Sequence, residues 1–138
     1  MDKKAKKVAV VACSGIGKSL GALSREITYE LIERVKPGIA VTKCLGLVVS
    51  GDSDALKMLK ENPVITIDGC AKECSKKSVV AQGSKVDRSF QIMDFMKRHK
   101  GLKPDGISEL NDAGQKLASL AADDLAEVVD DLINQEGK

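Results

Sequence analysis

Apolar and polar positions along the chain follow two alternating rhythms. From Lys7 to Cys13 the residues Val8, Ala9, Val10, Val11 and Ala12 form a continuous apolar run, the pattern of a strand covered on both faces. Ser14 to Ser19 is a small-residue turn. Leu20, Leu23, Ile27, Leu31 and Val35 then recur at helical spacing, with Arg25, Glu26, Glu33 and Arg34 on other faces, until Pro37-Gly38 ends the helix. Ile39 to Cys44 repeats the opening as a β-leaning stretch that ends on a cysteine. Leu45 to Asp52 fits either an extension of that strand or a loop. Asp52 or Ser53 is placed to cap a short helix through Leu56 and Leu59, which Asn62-Pro63 stops.

Val64 to Asp68 is a second buried strand, and it feeds a helix expected from Ala71 to about Ala81. Asp68 and Gly69 read as the turn between them. Gln82 to Lys85 is a loop, and Arg88 to Met93 is a plausible fourth strand. Beyond Pro104-Asp105-Gly106, Ser108 is a candidate cap for a helix with Leu110, Ala113, Leu117, Leu120, Ala121, Leu125, Val128 and Leu132 inward; Gly114 or Asp123-Asp124 are its candidate breaks.

Strands that alternate with helices predict an α/β fold: an open, mainly parallel four-stranded sheet with helices on both faces, plus the C-terminal helix. The expected strand order is 2-1-3-4. A length of 138 residues suits one α/β domain over 1–138, with a basic tail at 1–6 and a C-terminal helical extension at 104–138.

Composition narrows the function classes. Hydrophobic content of 43% with 30% charged residues is that of a soluble globular chain, and no apolar run approaches a membrane span. A cytoplasmic location without membrane attachment is the expectation. The formal net charge of +2 favours no partner class, although residues 72–103 are basic and 109–138 acidic. Tyr29, Phe90 and Phe95 are the only aromatic residues, which disfavours nucleic acid as a partner, and nothing marks a protein partner. His99, the single histidine, sits among basic residues and reads as solvated rather than as a ligand.

Candidate chemistry rests on Cys13, Cys44, Cys70 and Cys74. In a parallel sheet all strand C-terminal ends share one edge, so Cys13, Cys44 and Cys70 are each expected at that edge, with Cys74 one turn into the following helix. Thiols scattered in sequence should then meet where the first and third strands adjoin, where strand order reverses and open α/β sheets bind ligands. Four thiolates suit tetrahedral zinc or another thiophilic metal ion, leaving a charge of −2. Ser14, Gly15, Asp68 and Gly69 would surround the thiols, and Lys18, Lys43 or Lys72 could offset the charge.

Two other chemistries compete. Cys70 and Cys74, at i and i+4 on one helix face near its start, would suit a thiol redox pair with Cys70 attacking and Cys74 or Cys13 resolving. Ala12 to Ser19, with Gly17, Lys18 and Ser19 as possible anion-binding groups, resembles a relaxed phosphate-binding loop, and Val64 to Asp68 looks like the run that ends in a magnesium-binding Asp. A nucleotide-binding protein is therefore the third reading. The same loop lacks an Arg six residues after Cys13, which argues against a phosphatase cradle.

Cys13-Ser14-Gly15 after the first strand, Cys44 after the second, and Asp68-Gly69-Cys70 with Cys74 four residues on together resemble the DGC domain family, over roughly residues 7–95. The resemblance implies a zinc site, inferred for that family from its four cysteines, and no particular reaction. Lys18-Ser19 has no place in that pattern, which keeps an anion beside the thiols in view.

Overall fold

The computed structural model describes residues 7–12, 19–43, 45–68, 74–99, 101 and 111–136. Its elements in order are β1 (Val8–Ala12), α1 (Ser19–Glu30), β2 (Ala40–Val41), α2 (Leu45–Ser50), α3 (Ser53–Glu61), β3 (Val64–Asp68), α4 (Cys74–Ala81), β4 (Arg88–Gln91), α5 (Ile92–Arg98) and α6 (Asp112–Glu136). The four strands form one sheet in the order β2-β1-β3-β4, and every pairing is parallel. Both the topology and the strand order match what the sequence pattern predicts.

Strand pleating sorts the core into two layers. Val8 and Val10 of β1 and Ile65 and Ile67 of β3 point to one face, where they pack with Leu23, Ile27, Ile92, Phe95, Leu117 and Leu125 from α1, α5 and α6. Ala9, Val11 and Val64 point to the other, against Val48, Ala55, Leu59 and Val79 from α2, α3 and α4. Burial on both sides explains why β1 and β3 read as unbroken apolar runs.

α1 runs on through a widened π-type turn over Leu31–Val35, where the Lys36 amide donates to the Leu31 carbonyl at 2.8 Å. Gly38 at φ +78° then turns the chain, a conformation open to glycine at little cost. β2 is shorter than its β-leaning sequence, covering two residues rather than reaching Cys44. The Thr42 hydroxyl donates to the Val10 carbonyl at 2.5 Å, so a side chain takes the place of the next ladder bond.

Leu45–Ser50 is a helix rather than a strand extension or a loop. Val48 is buried on the sheet, and the Gln82 side-chain amide donates to the Val48 and Val49 carbonyls at 2.9 and 3.2 Å. Those contacts outweigh the β preference of the Val48-Val49 pair. Asp52 caps α3 as expected, its carboxylate accepting from the Ala55 amide at 3.0 Å.

The fourth strand stops at Gln91, and Ile92 and Met93 open α5 instead of completing it. Gln91 and Asp94 form a reciprocal capping box, so the helix start competes with the strand end and wins. α6 is continuous across Gly114 and Asp123-Asp124. Asn111 caps it, its side-chain oxygen accepting from the Gly114 amide at 2.8 Å; Ser108 lies outside the described residues.

The acidic charge of α6 is matched by basic groups across its flanks. Lys36 reaches Asp130 at 2.7 Å, Arg34 reaches Asp123 at 3.3 Å, and Arg98 reaches Asp124 at 3.4 Å. The Arg34 guanidinium also pairs with Glu30, and that contact chiefly raises its pKa above the ordinary arginine value. His99 is only partly solvated: its Nε2 lies 2.8 Å from Asp124, across the α5–α6 seam. No helix among the described residues is long and apolar enough to cross a membrane.

Candidate functional site

The parallel register brings three strand ends to one edge. Ala12 of β1 lies opposite Ile67 of β3, and Thr42, just past β2, still touches Val10 of β1. With neighbouring strands about 4.8 Å apart, the ends of β2, β1 and β3 span about 10 Å. Ala12 immediately precedes Cys13 in sequence, Lys43 precedes Cys44, and Asp68 stands two residues before Cys70. Cys13, Ser14, Gly15, Gly17, Lys18, Cys44, Gly69, Cys70 and Lys72 themselves lie outside the described residues.

Two of the candidate site residues are described in side-chain detail. Cys74 is the first residue of α4, exposed and not in a disulfide. Asp68 is the last residue of β3 and only 1% exposed. Its carboxylate accepts from the Ser75 amide at 2.7 Å and from the Lys76 amide at 3.3 Å. An anion at these first-turn amides answers donors that the helix itself leaves unpaired, and it opposes the positive end of the helix dipole.

Asp68 is therefore a tie between strand and helix, not a residue of the intervening turn. A carboxylate so enclosed and so engaged is also ill placed to hold magnesium on a nucleotide, which weakens the resemblance to a nucleotide-binding strand. Sequence reasoning missed this role because the bond spans seven residues and needs the chain to fold back on itself. Cys74 adjoins Ser75, so the tie fixes the backbone on which that thiol stands.

Next to this anchor two hydroxyls are buried without a hydrogen-bond partner among the described residues, Thr66 Oγ1 on β3 and Ser75 Oγ on α4. Both belong to the sheet face that carries Val64 and Val79, by strand alternation and by the i, i+4 relation of Ser75 to Val79. Among the described residues no group of three or more His, Cys, Asp or Glu side chains converges as a metal site. Ser19, a candidate anion-binding residue, is the first residue of α1.

A cleft of about 230 Å³ opens on the β1–β2 side of the same edge. Ala12, Arg25, Thr28, Tyr29, Thr42, Lys43 and Leu45 line it. It lies one strand away from the β1–β3 junction that strand order singles out. Arg25 and Tyr29 stand four residues apart on the helix after the first strand, the one sequence signal that could have drawn attention to it.

No curated protein and no solved structure matches the chain. A family model does: that of the DGC domain matches residues 9–127, so the likeness runs well beyond the cysteine motifs and takes in most of α6. With nearly the whole sheet-and-helix unit inside that match, the chain belongs to the DGC domain family.

Proposed function

We propose that the chain binds one zinc ion, or another thiophilic metal ion, through Cys13, Cys44, Cys70 and Cys74 at the C-terminal edge of the sheet. The observation that carries this reading is the strand order β2-β1-β3: the three strands that lead into the first three cysteines are adjacent and parallel. Cys74 is joined to the same edge through the Asp68 tie, and its side chain is exposed and not in a disulfide. Four sulfur donors from four places in sequence suit a closed tetrahedral zinc site, which would clamp β1, β2, β3 and α4 together. Membership of the DGC domain family supports the same reading.

The test is elemental analysis with a thiol count on protein expressed with added zinc. Close to one metal per chain is expected, with thiols slow to alkylate until a chelator is added, and each Cys→Ser variant losing both metal and thermal stability. One observation favours a second reading. Cys74 is exposed and not in a disulfide, which leaves its thiol open to exchange with a neighbouring thiol or disulfide. In that case Cys44→Ser would be silent while Cys70→Ser abolished thiol reactivity, and that pattern in metal-free protein would overturn the metal reading.

A further inference from the structure

The donor inventory of the cleft beside β2 constrains what can enter it. Arg25, Thr28 and Tyr29 come from α1, Thr42 and Lys43 from the segment after β2, and Ala12 and Leu45 add apolar surface. Two of the hydroxyl protons are already committed: Thr28 donates to the Ser24 carbonyl at 3.0 Å and Thr42 to the Val10 carbonyl at 2.5 Å. The lining residues with donors left to offer are thus Lys43, Tyr29 and Arg25, the last of which also holds another partner.

Among the described lining residues there is no carboxylate, and Lys43 makes no ion pair with a described residue. Arg25 carries five N–H donors, so it keeps capacity for a further acceptor whatever it already holds. An occupant that brings acceptors and negative charge suits this end. Between the donors the walls are hydrocarbon, from the Ala12, Leu45, Thr28 and Thr42 side chains and the Tyr29 ring. At about 230 Å³ the cleft is smaller than the roughly 300–1,000 Å³ of pockets for drug-sized ligands, which sets the occupant at the scale of a small metabolite.

We propose that this cleft is a binding site for a small organic carboxylate, its anionic head on Lys43 and Arg25 and its apolar body against Ala12, Leu45 and Tyr29. The inference stands on the cleft alone and needs no metal. Its position at the C-terminal ends of parallel strands is where α/β sheets hold ligands.

Tyr29 is the only tyrosine and the chain has no tryptophan, so intrinsic fluorescence reports on the cleft directly. Titrating the folded protein with pentanoate should give a saturable change at millimolar concentration or below. Pentanamide, of the same shape without charge, and inorganic phosphate, a charge without the apolar body, should each bind at least about tenfold more weakly. Lys43→Gln and Arg25→Gln should each weaken pentanoate about tenfold, with circular dichroism confirming that both variants are folded. Equal binding of pentanoate and pentanamide, phosphate binding as tightly as pentanoate, no saturable response, or unchanged affinity in both variants would each overturn the proposal.

Discussion

The two faces of the sheet are built by different rules. On the face under α1, α5 and α6, both central strands present only hydrocarbon, through Val8, Val10, Ile65 and Ile67, and a 25-residue helix seals it. On the face under α2, α3 and α4 the strands begin alike, with Ala9, Val11 and Val64, but toward the C-terminal edge β3 continues with Thr66 and Asp68, which Ser75 of α4 meets. The first face contributes cohesion through apolar area. The second gives up some of that area to buried polar groups at the edge where the cysteine-bearing segments leave the sheet, so its upper end holds geometry rather than bulk stability.

The comparison is broken most forcefully on the apolar face. Ile27 of α1 is fully buried in the larger core layer. Ile27→Ala removes hydrocarbon and leaves a cavity, and it is expected to cost about 2–5 kcal/mol of unfolding free energy. Urea unfolding of the variant beside the parent checks this. A cost below about 1 kcal/mol would mean that α1 does not hold this face as closely as its burial indicates.

Next in size is the polar tie. Asp68→Ala leaves the Ser75 and Lys76 amides at the start of α4 without their acceptor, at a cost of about 1–3 kcal/mol. Asp68→Asn keeps one acceptor oxygen for the shorter bond, to Ser75, and should lose roughly half as much. The two faces then predict different companions to the loss. Under the proposed metal reading, Asp68→Ala should lower metal content as well as stability, because the backbone carrying Cys74 is released, whereas Ile27→Ala should lower stability and leave the metal content of the folded protein unchanged. Elemental analysis of both variants separates these outcomes.

The same contrast decides what the sequence discloses. β1, β3 and the strand order are legible because central parallel strands are apolar throughout, and strands that alternate with helices allow few topologies. α1 and α6 are legible from helical periodicity, and α6 remains whole across Gly114 and Asp123-Asp124 because Leu117, Ala121 and Leu125 pack without interruption. α2 is misread because its Val48-Val49 pair favours a strand, while the residue that caps its carbonyls, Gln82, is more than thirty positions away. The end of β4 is misread for a local reason, the capping box between Gln91 and Asp94.

For the candidate site, the three strand ends that lead to Cys13, Cys44 and Cys70 are legible, since each is a β-leaning run ending on or near a cysteine. The cleft is not, because Arg25 and Tyr29 meet Thr42 and Lys43 only after β1 and β2 pair. Asp68 is visible as a residue of interest but not as a cap, because neither its burial nor its partners follow from spacing.

The smallest effect tests the polar face where it is least self-consistent. Thr66 Oγ1 and Ser75 Oγ are buried without hydrogen-bond partners among the described residues, and a hydroxyl that no other group meets has given up its hydration with no return. Thr66→Val exchanges the hydroxyl for a methyl in a side chain of nearly the same shape, so the variant should be unchanged or more stable by up to about 1 kcal/mol. Thr66→Ser is the necessary companion: it keeps the hydroxyl and removes the methyl, and should be destabilising by about 1 kcal/mol from lost hydrocarbon burial. If instead Val is destabilising by more than about 1 kcal/mol and Ser is tolerated, the hydroxyl is bonded in solution, and the polar layer at this edge is a satisfied network rather than a sacrifice of stability. Combining Thr66→Val with Ser75→Ala sharpens the result, because two independent hydroxyls give additive changes, whereas two that share a partner depart from additivity by about 0.5 kcal/mol or more.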